Sequence, residues 1–270
     1  VASVAAFYFM IHLNDQTGRT ISLSQPARRI VSLVPSQTEL LSALGLTDEV
    51  LGITKFCVHP DKWFRSKKRI GGTKNLRIDE IIDLKPDLII ANQEENVREQ
   101  IEALLKHCSV YISDIKNLTD NSQLIQDMGA LTGRVTEAAL LNTQIKEAFA
   151  SDMFPGTGSL GTALYIIWKD PWMTVGADTF IHDMLQRAGF ENLAADRLRY
   201  PEVENFPNPK WVLLASEPYP FSAKHIEEAA RKFPGSQIAL VDGEFFSWYG
   251  SRPLIAAPYL AGKWKHHIFG

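Results

Sequence analysis

Two stretches of the chain repeat one pattern. Lys85-Pro86-Asp87-Leu88-Ile89-Ile90-Ala91-Asn92-Gln93-Glu94 and Asn208-Pro209-Lys210-Trp211-Val212-Leu213-Leu214-Ala215-Ser216-Glu217 each set a proline before an unbroken apolar run and close on a polar tip ending in glutamate. An apolar run without alternation, bounded by turn residues, reads as a strand buried on both faces of a parallel sheet. Proline is tolerated at the start of such a strand. Each copy also follows a strand, loop and helix: Ile30–Val34 then Ser36–Leu44, and Ala163–Trp168 then Thr179–Ala188. The pattern predicts an α/β protein of two Rossmann-like lobes with parallel sheets. Such lobes leave a cleft between them, and inter-domain clefts favour ligands. Two generic α/β units are the plainer alternative.

The 270 residues suit two domains. The chain is 45% hydrophobic and 22% charged with a net charge of −3, which argues against a nucleic-acid partner. No apolar run approaches the roughly 20 residues of a membrane span. Cys57 and Cys108 match no zinc spacing and read as buried thiols or one disulfide. Val1–Phe7 lacks the basic flank of a signal peptide, so no signal or anchor segment is visible. Phe7–Leu13 and Thr20–Leu23 read as an opening hairpin around the turn cluster at Asn14–Gly18.

The first lobe spans residues 1–118 and the second 161–270, with a connecting helical segment and linker at 119–160. In the first lobe, Ser36 with Glu39 reads as a capping box, and Gly45 closes the helix. Ile78–Leu84 and Val97–Leu105 read as helices. The connector reads as two helices broken near Gly133. The second, about Val135–Met153, is long enough at roughly 28 Å to bridge two lobes. Gly156, Gly158 and Gly161 have GxGxxG spacing, but they precede a strand instead of opening a helix, which argues against a dinucleotide site. The second lobe ends in a helix near Leu254–Trp264.

No histidine falls in a tight metal pattern, and no Ser/His/Asp arrangement is visible, so no catalytic residue is assigned. His182 reads as structural, and His59 alone is a candidate axial ligand for a bound metal. Phe56, Trp63, Trp168, Trp172, Tyr200, Tyr219, Phe221, Phe245, Phe246, Trp248 and Tyr249 mostly fall in loops, and several follow strand ends. An open α/β sheet places its ligand crevice at those strand ends. The aromatics there pack the loops or meet a ligand with large flat faces. Arg252 offers a fixed cationic fork or a surface ion pair.

The segments Arg29–Glu39, Gly71-Gly72-Thr73-Lys74-Asn75, Leu84–Ile90, Thr174–Thr179 and Phe246-Ser247-Trp248-Tyr249-Gly250-Ser251-Arg252 together resemble the solute-binding proteins of metal-chelate ABC importers. In that group one helical backbone joins the two lobes, and the branch most like this chain is the cobalamin binders. The resemblance runs from Ala27 to Leu260. It implies a non-enzymatic, monomeric, periplasmic or extracytoplasmic protein that needs no cofactor. It would capture a corrinoid or related metal chelate and deliver it to a membrane permease. Haem or a ferric siderophore is the alternative cargo, and a two-domain enzyme or a ligand sensor the alternative class. The implied ligand contacts are Ser36, Phe56, Lys74, Asn92, Trp168, Trp172, Tyr200, Phe246, Trp248, Tyr249 and Arg252. The implied permease contacts are Asp79, Glu80 and Glu202. The chain departs from the cobalamin binders where Thr73 or Lys74 and Asn92 stand in place of tryptophans, and where Glu202–Pro209 is shorter than their helix.

Overall fold

The computed structural model describes residues 10–150, 153–154, 156–204 and 206–264, with the backbone of 268–269. The chain divides into two compact units, Val1–Asp114 with Ser122–Asn142, and Ile115–Asn121 with Thr143–Gly270.

The first unit opens on an antiparallel hairpin, β1 (Ile11–Asn14) and β2 (Thr20–Leu23). The expected start at Phe7 lies outside the described residues. Asp15 ties the hairpin down. Its Oδ1 accepts from the Thr17 and Arg19 amides at 2.9 Å, and its Oδ2 from the Ile112 amide at 3.2 Å. A five-stranded sheet follows, built from β3 (Ile30–Ser32), β4 (Val50–Ile53), β5 (Lys68–Arg69), β8 (Leu88–Asn92) and β9 (Ser109–Ser113). It is parallel throughout, in the order β5-β4-β3-β8-β9. A short hairpin of β6 (Gly71–Gly72) and β7 (Asn75–Leu76) lies beyond β5. Helices α1 (Pro35–Ala43), α2 (Asp61–Ser66), α3 (Ile78–Asp83) and α4 (Arg98–Leu104) connect the strands. Ile30, Val31, Leu40, Leu41, Ile53, Leu88, Ile89 and Ile90 are fully buried, as unbroken apolar strands between helices should be.

The capping box at Ser36 does not form. Val34 is the N-cap of α1, without a side-chain cap, and Pro35 takes the first turn, where its missing N–H is harmless. Ser36 is therefore already inside the helix and buried.

Helix α5 (Leu118–Thr132) starts in the second unit and runs into the first. Helix α6 (Val135–Phe149) starts in the first and ends in the second. The break falls where expected, at Gly133 with φ +71°, a conformation that side chains strain to adopt. Each helix has 15 residues, so α6 stops short of the expected Met153 and spans only about 22 Å.

The second unit carries its own five-stranded sheet: β10 (Gly161–Ile166), β11 (Phe190–Asn192), β12 (Trp211–Ala215), β13 (Gln237–Val241) and β14 (Ile268–Phe269), in the order β11-β10-β12-β13-β14. All pairs are parallel except β13 with β14, so an antiparallel edge strand ends an otherwise parallel sheet. Helix α7 (Phe180–Arg187) is capped by Thr179, whose hydroxyl accepts from the His182 amide at 3.2 Å. A 3-10 turn at Ala223–His225 leads into α8 (Ile226–Lys232). The chain then adds α9 (Gly243–Ser247), which the sequence did not suggest, and α10 (Arg252–Leu260), which starts earlier and stops earlier than expected. Among the described residues no helix is long and apolar enough to cross a membrane. Neither Cys57 nor Cys108 is disulfide-bonded.

Candidate functional site

Parallel strands bring their carboxyl ends to one edge of a sheet, and the loops leaving that edge form the usual crevice of an open α/β fold. In the first unit this edge is dominated by a buried polar network. The Thr38 hydroxyl lies 2.8 Å from Ser32 Oγ, 2.9 Å from the Val34 carbonyl and 3.1 Å from Cys57 Sγ, and Thr54 Oγ1 lies 3.1 Å from the same sulfur. Burial pushes the Cys57 thiol up, against these hydrogen bonds, which keeps it protonated. Asn92, at the end of β8, is also buried. Its amide donates to the Ser113 carbonyl at 3.1 Å and hydroxyl at 3.0 Å, and its carbonyl accepts from the Glu94 and Glu95 amides. Two donors and two acceptors are thus engaged in shaping the turn, so Asn92 is a structural residue where the sequence suggested a ligand contact. Ser36 is buried likewise.

Among the residues of this edge that meet solvent are Phe56, 50% exposed, with the Lys55 ammonium 5.0 Å from its ring centroid, and Lys74, whose ammonium donates to the Glu94 carbonyl. The ring of Phe56 lies against Gly72, so the structure brings Phe56 and the Gly72–Lys74 hairpin into one loop cluster. His59 is half-buried in the same loop as Phe56. Among the described residues no group of three or more His, Cys, Asp or Glu side chains could hold a metal ion. A cavity of about 250 Å³ under α3 and α4 is lined by Lys85, Pro86 and Cys108, at the opposite, amino end of β8.

The second unit's edge is aromatic. After β10 comes Trp168, 42% exposed. The Tyr219 amide donates to the Ile167 carbonyl at 3.2 Å, which brings the Tyr219 ring edge-on to Trp168 at 5.6 Å. Trp172, four residues further on, is a core residue instead. It packs on Phe221 at 5.8 Å and Phe233 at 5.9 Å. Phe246 is likewise fully buried, between Tyr165 at 5.1 Å and Tyr259 at 6.4 Å. Phe246, at 0% exposure, has no ring surface left for a ligand, whereas Trp172 keeps 9%. Tyr249 is buried edge-on to Phe180 at 6.1 Å. Tyr200 is half-buried in a segment whose backbone pairs with 174–176.

Trp248 is 9% exposed and held on two sides. Its indole N–H donates to Glu217 Oε1 at 2.8 Å, and the Arg252 guanidinium sits 4.7 Å from its ring centroid, within cation–π range. Arg252 Nη2 in turn lies 3.2 Å from Glu244 Oε2. The Ser247 hydroxyl also donates to Glu217 Oε1, at 2.9 Å. Burial raises the Glu217 carboxyl above its ordinary value, while the Ser247 and Trp248 hydrogen bonds oppose the rise and the charges of Glu244 and Asp242 add to it. Asn121 fixes the following turn, donating to the Gly250 carbonyl at 3.1 Å and accepting from the Gly250 amide. The sequence reading missed Glu217, Ser247 and Asn121. The one available signal was Glu217 at the end of the second repeated pattern.

The acids expected to serve docking lie on the surface. Asp79 and Glu80 occupy the first turn of α3. Glu80 pairs with Arg77 at 3.1 Å and Lys68 at 3.4 Å, and the Arg77 hydrogen bond holds its carboxyl below the ordinary value. Glu202 is exposed and forms a backbone bridge to Met173.

Residues 30–206 match the family model described as periplasmic binding protein. The chain belongs to that family. YvrC of Bacillus subtilis, named an uncharacterized ABC transporter substrate-binding lipoprotein, is 27% identical over 206 residues, which cover 72% of this chain and 64% of that one. A cobalamin-binding protein of Halobacterium salinarum is 27% identical over 188 residues, 67% of this chain and half of the relative's length. Among solved structures, the periplasmic vitamin B12 binding protein BtuF of Vibrio cholerae superposes with a TM-score of 0.70 at 20% identity, covering 89% of this chain and 98% of that one. The periplasmic heme-binding protein RhuT of Roseiflexus gives 0.71 at 20% identity with the same coverage. These two structures establish the shared two-lobed α/β fold.

Proposed function

We propose that this chain is the extracytoplasmic solute-binding component of an ABC importer and that its cargo is a corrinoid or a closely related metal chelate. The observation that carries the reading is the second unit's carboxyl edge. There the Trp168 and Tyr219 rings meet edge-on, and the Trp248 ring lies against the Arg252 guanidinium, on the side of the sheet where open α/β folds take their ligands. Flat aromatic surface with one or two polar anchors suits a large, rigid, ring-shaped ligand. Phe56 and Lys74 offer the same combination on the first unit. The name of the Bacillus relative supports the transporter class, and that of the Halobacterium relative supports a corrinoid cargo. Tyr200 and Tyr249 are kept as flanking contacts. Asp79, Glu80 and Glu202 are proposed to meet basic residues of the permease, and the protein is proposed to work as a monomer without a cofactor. The family is that of the periplasmic binding proteins, which fits solute capture.

Titration with cobalamin, cobinamide, haem and a ferric siderophore tests the cargo by tryptophan fluorescence quenching and visible absorption. Saturable binding of both corrinoids at micromolar concentration or below supports the reading. Binding of haem alone would replace the cargo and keep the class, and binding of none of them would remove the class.

A further inference from the structure

Glu217 is held in an asymmetric way. One carboxylate oxygen, Oε1, takes both the Ser247 hydroxyl and the Trp248 indole N–H. The other, Oε2, receives no hydrogen bond from any described residue, and it is not among the enclosed polar atoms that lack a partner, so solvent reaches it. The surrounding backbone is fitted to this side chain. A Cβ on Gly243 would lie 2.5 Å from Glu217 Cγ and 2.9 Å from its amide nitrogen, so residue 243 admits no side chain. The Gly243 amide donates to Ser216 Oγ at 2.9 Å, which locks the start of α9 to the tip of β12. Two donors and a glycine thus fix a partly buried carboxylate beside Trp248, two residues before Tyr219, with one acceptor position unused.

We propose that Glu217 is a specificity-determining residue whose Oε2 accepts a hydrogen bond from an amide N–H₂ on the ligand periphery. This inference rests on the corrinoid reading above and refines it. A corrin ring carries primary amide side chains around its rim, whereas a haem carries two propionate carboxylates. A fixed carboxylate acceptor, with Glu244 close by on Arg252, welcomes the first and repels the second. The device selects by mismatch as well as by match, since a like charge placed against a partly desolvated carboxylate is costly.

The alternative is that Glu217 only latches α9 to β12. Glu217→Gln separates the two roles. The amide oxygen keeps both bonds at the Oε1 position, and an N–H₂ donor replaces Oε2. Ser247→Ala does the reverse, removing one latch bond and leaving Oε2 in place. Wild type and both variants are titrated calorimetrically with cyanocobalamin, dicyanocobinamide and haem, and their thermal midpoints are recorded. Glu217→Gln is expected to weaken both corrinoids by about 10- to 100-fold, the range of a charge-assisted hydrogen bond. It should tighten haem relative to wild type without lowering the midpoint. Ser247→Ala should change the corrinoid-to-haem preference less than about threefold. Wild-type corrinoid binding that survives unchanged in Glu217→Gln overturns the inference alone and leaves Glu217 a latch. Failure of wild type to bind either corrinoid overturns the inference together with the reading beneath it.

Discussion

Asn92-Gln93-Glu94 and Ala215-Ser216-Glu217 close the two copies of one strand pattern, and they occupy equivalent places. β8 lies between β3 and β9, and β12 lies between β10 and β13. Their chemistry diverges from the last residue of the strand. In the first unit the strand ends on Asn92, whose side chain closes its own turn and grips Ser113 on the neighbouring strand, leaving Glu94 exposed. In the second unit the strand ends on Ala215, which can do neither. The turn is completed instead by the segment after β13: Ser216 accepts from the Gly243 amide, and Glu217 accepts from Ser247 and Trp248. A self-capped tip makes a rigid, polar edge, whereas an uncapped tip recruits the next loop and carries aromatic side chains to the edge with it.

Truncating an aromatic in each region gives the largest contrast. Phe246→Ala empties a fully buried site and should cost about 3–5 kcal/mol of stability. Phe56→Ala, at a half-exposed ring, should change stability by no more than about 0.5 kcal/mol and act on ligand affinity alone. Urea denaturation with parallel ligand titration measures both. Comparable stability losses would mean that Phe56 belongs to its unit's core and that the two edges do not differ as described.

The next contrast lies at the tips. Asn92→Ala leaves the Glu94 and Glu95 amides without their acceptor, removes two bonds to Ser113, whose groups keep other partners, and should destabilise the protein by about 1–3 kcal/mol. Glu217→Gln keeps its latch and should cost nothing. If Asn92→Ala unfolds no more easily than wild type but binds ligand less well, then Asn92 is a ligand contact, and the self-capped tip is not what separates the units.

How far the sequence reveals these features depends on the range of the interaction that sets them. The strands were legible because an apolar run between turn residues is a local signal, and the breaks at Gly45 and Gly133 are local too. The edges were not. Trp168 and Trp172 both follow β10 in a segment without periodicity, and only the packing of Phe221 and Phe233 decides that one is core and the other exposed. Asn121 and Gly250, which bond each other across 129 residues, carry no mark of their pairing in either neighbourhood. The Ser36–Glu39 box was a false local signal, overridden because the helix starts at Pro35 and its N-cap, Val34, lies two residues before Ser36.

A smaller effect separates the tips by pH. The Glu217 carboxyl sits above its ordinary value of 4.5, chiefly through burial, with Glu244 and Asp242 adding to the shift. The folded state therefore holds the proton more tightly than the unfolded chain. Its contribution is fully present at low pH and is lost as pH rises from 4.5 through the raised value. The stability of wild type minus that of Glu217→Gln should fall across that window and then level off. Asp127 is raised by burial as well, but it is common to both proteins and cancels in the difference. A flat difference would place Glu217 in an environment no drier than Glu94's and erase the contrast.

The smallest effect on the folded protein, with the largest expected on transport, comes from the surface acids. Asp79 is exposed at the start of α3, where negative charge suits the helix dipole, and Glu80 beside it is shared by Arg77 and Lys68. Such exposed pairs add little to stability. Glu202 is also exposed, but it sits on a backbone bridge to Met173 that does not depend on its side chain. Reversal of Asp79 and Glu80 to Lys should therefore leave the denaturation midpoint and ligand affinity unchanged while abolishing uptake in cells that carry the cognate importer. Reversal of Glu202 should show whether the second unit docks as well. Loss of uptake in both variants assigns a contact to each unit, and loss in the α3 variant alone confines docking to the first. Unchanged uptake in both would leave Asp79 with its helix terminus and Glu80 with its ion pairs as their whole role.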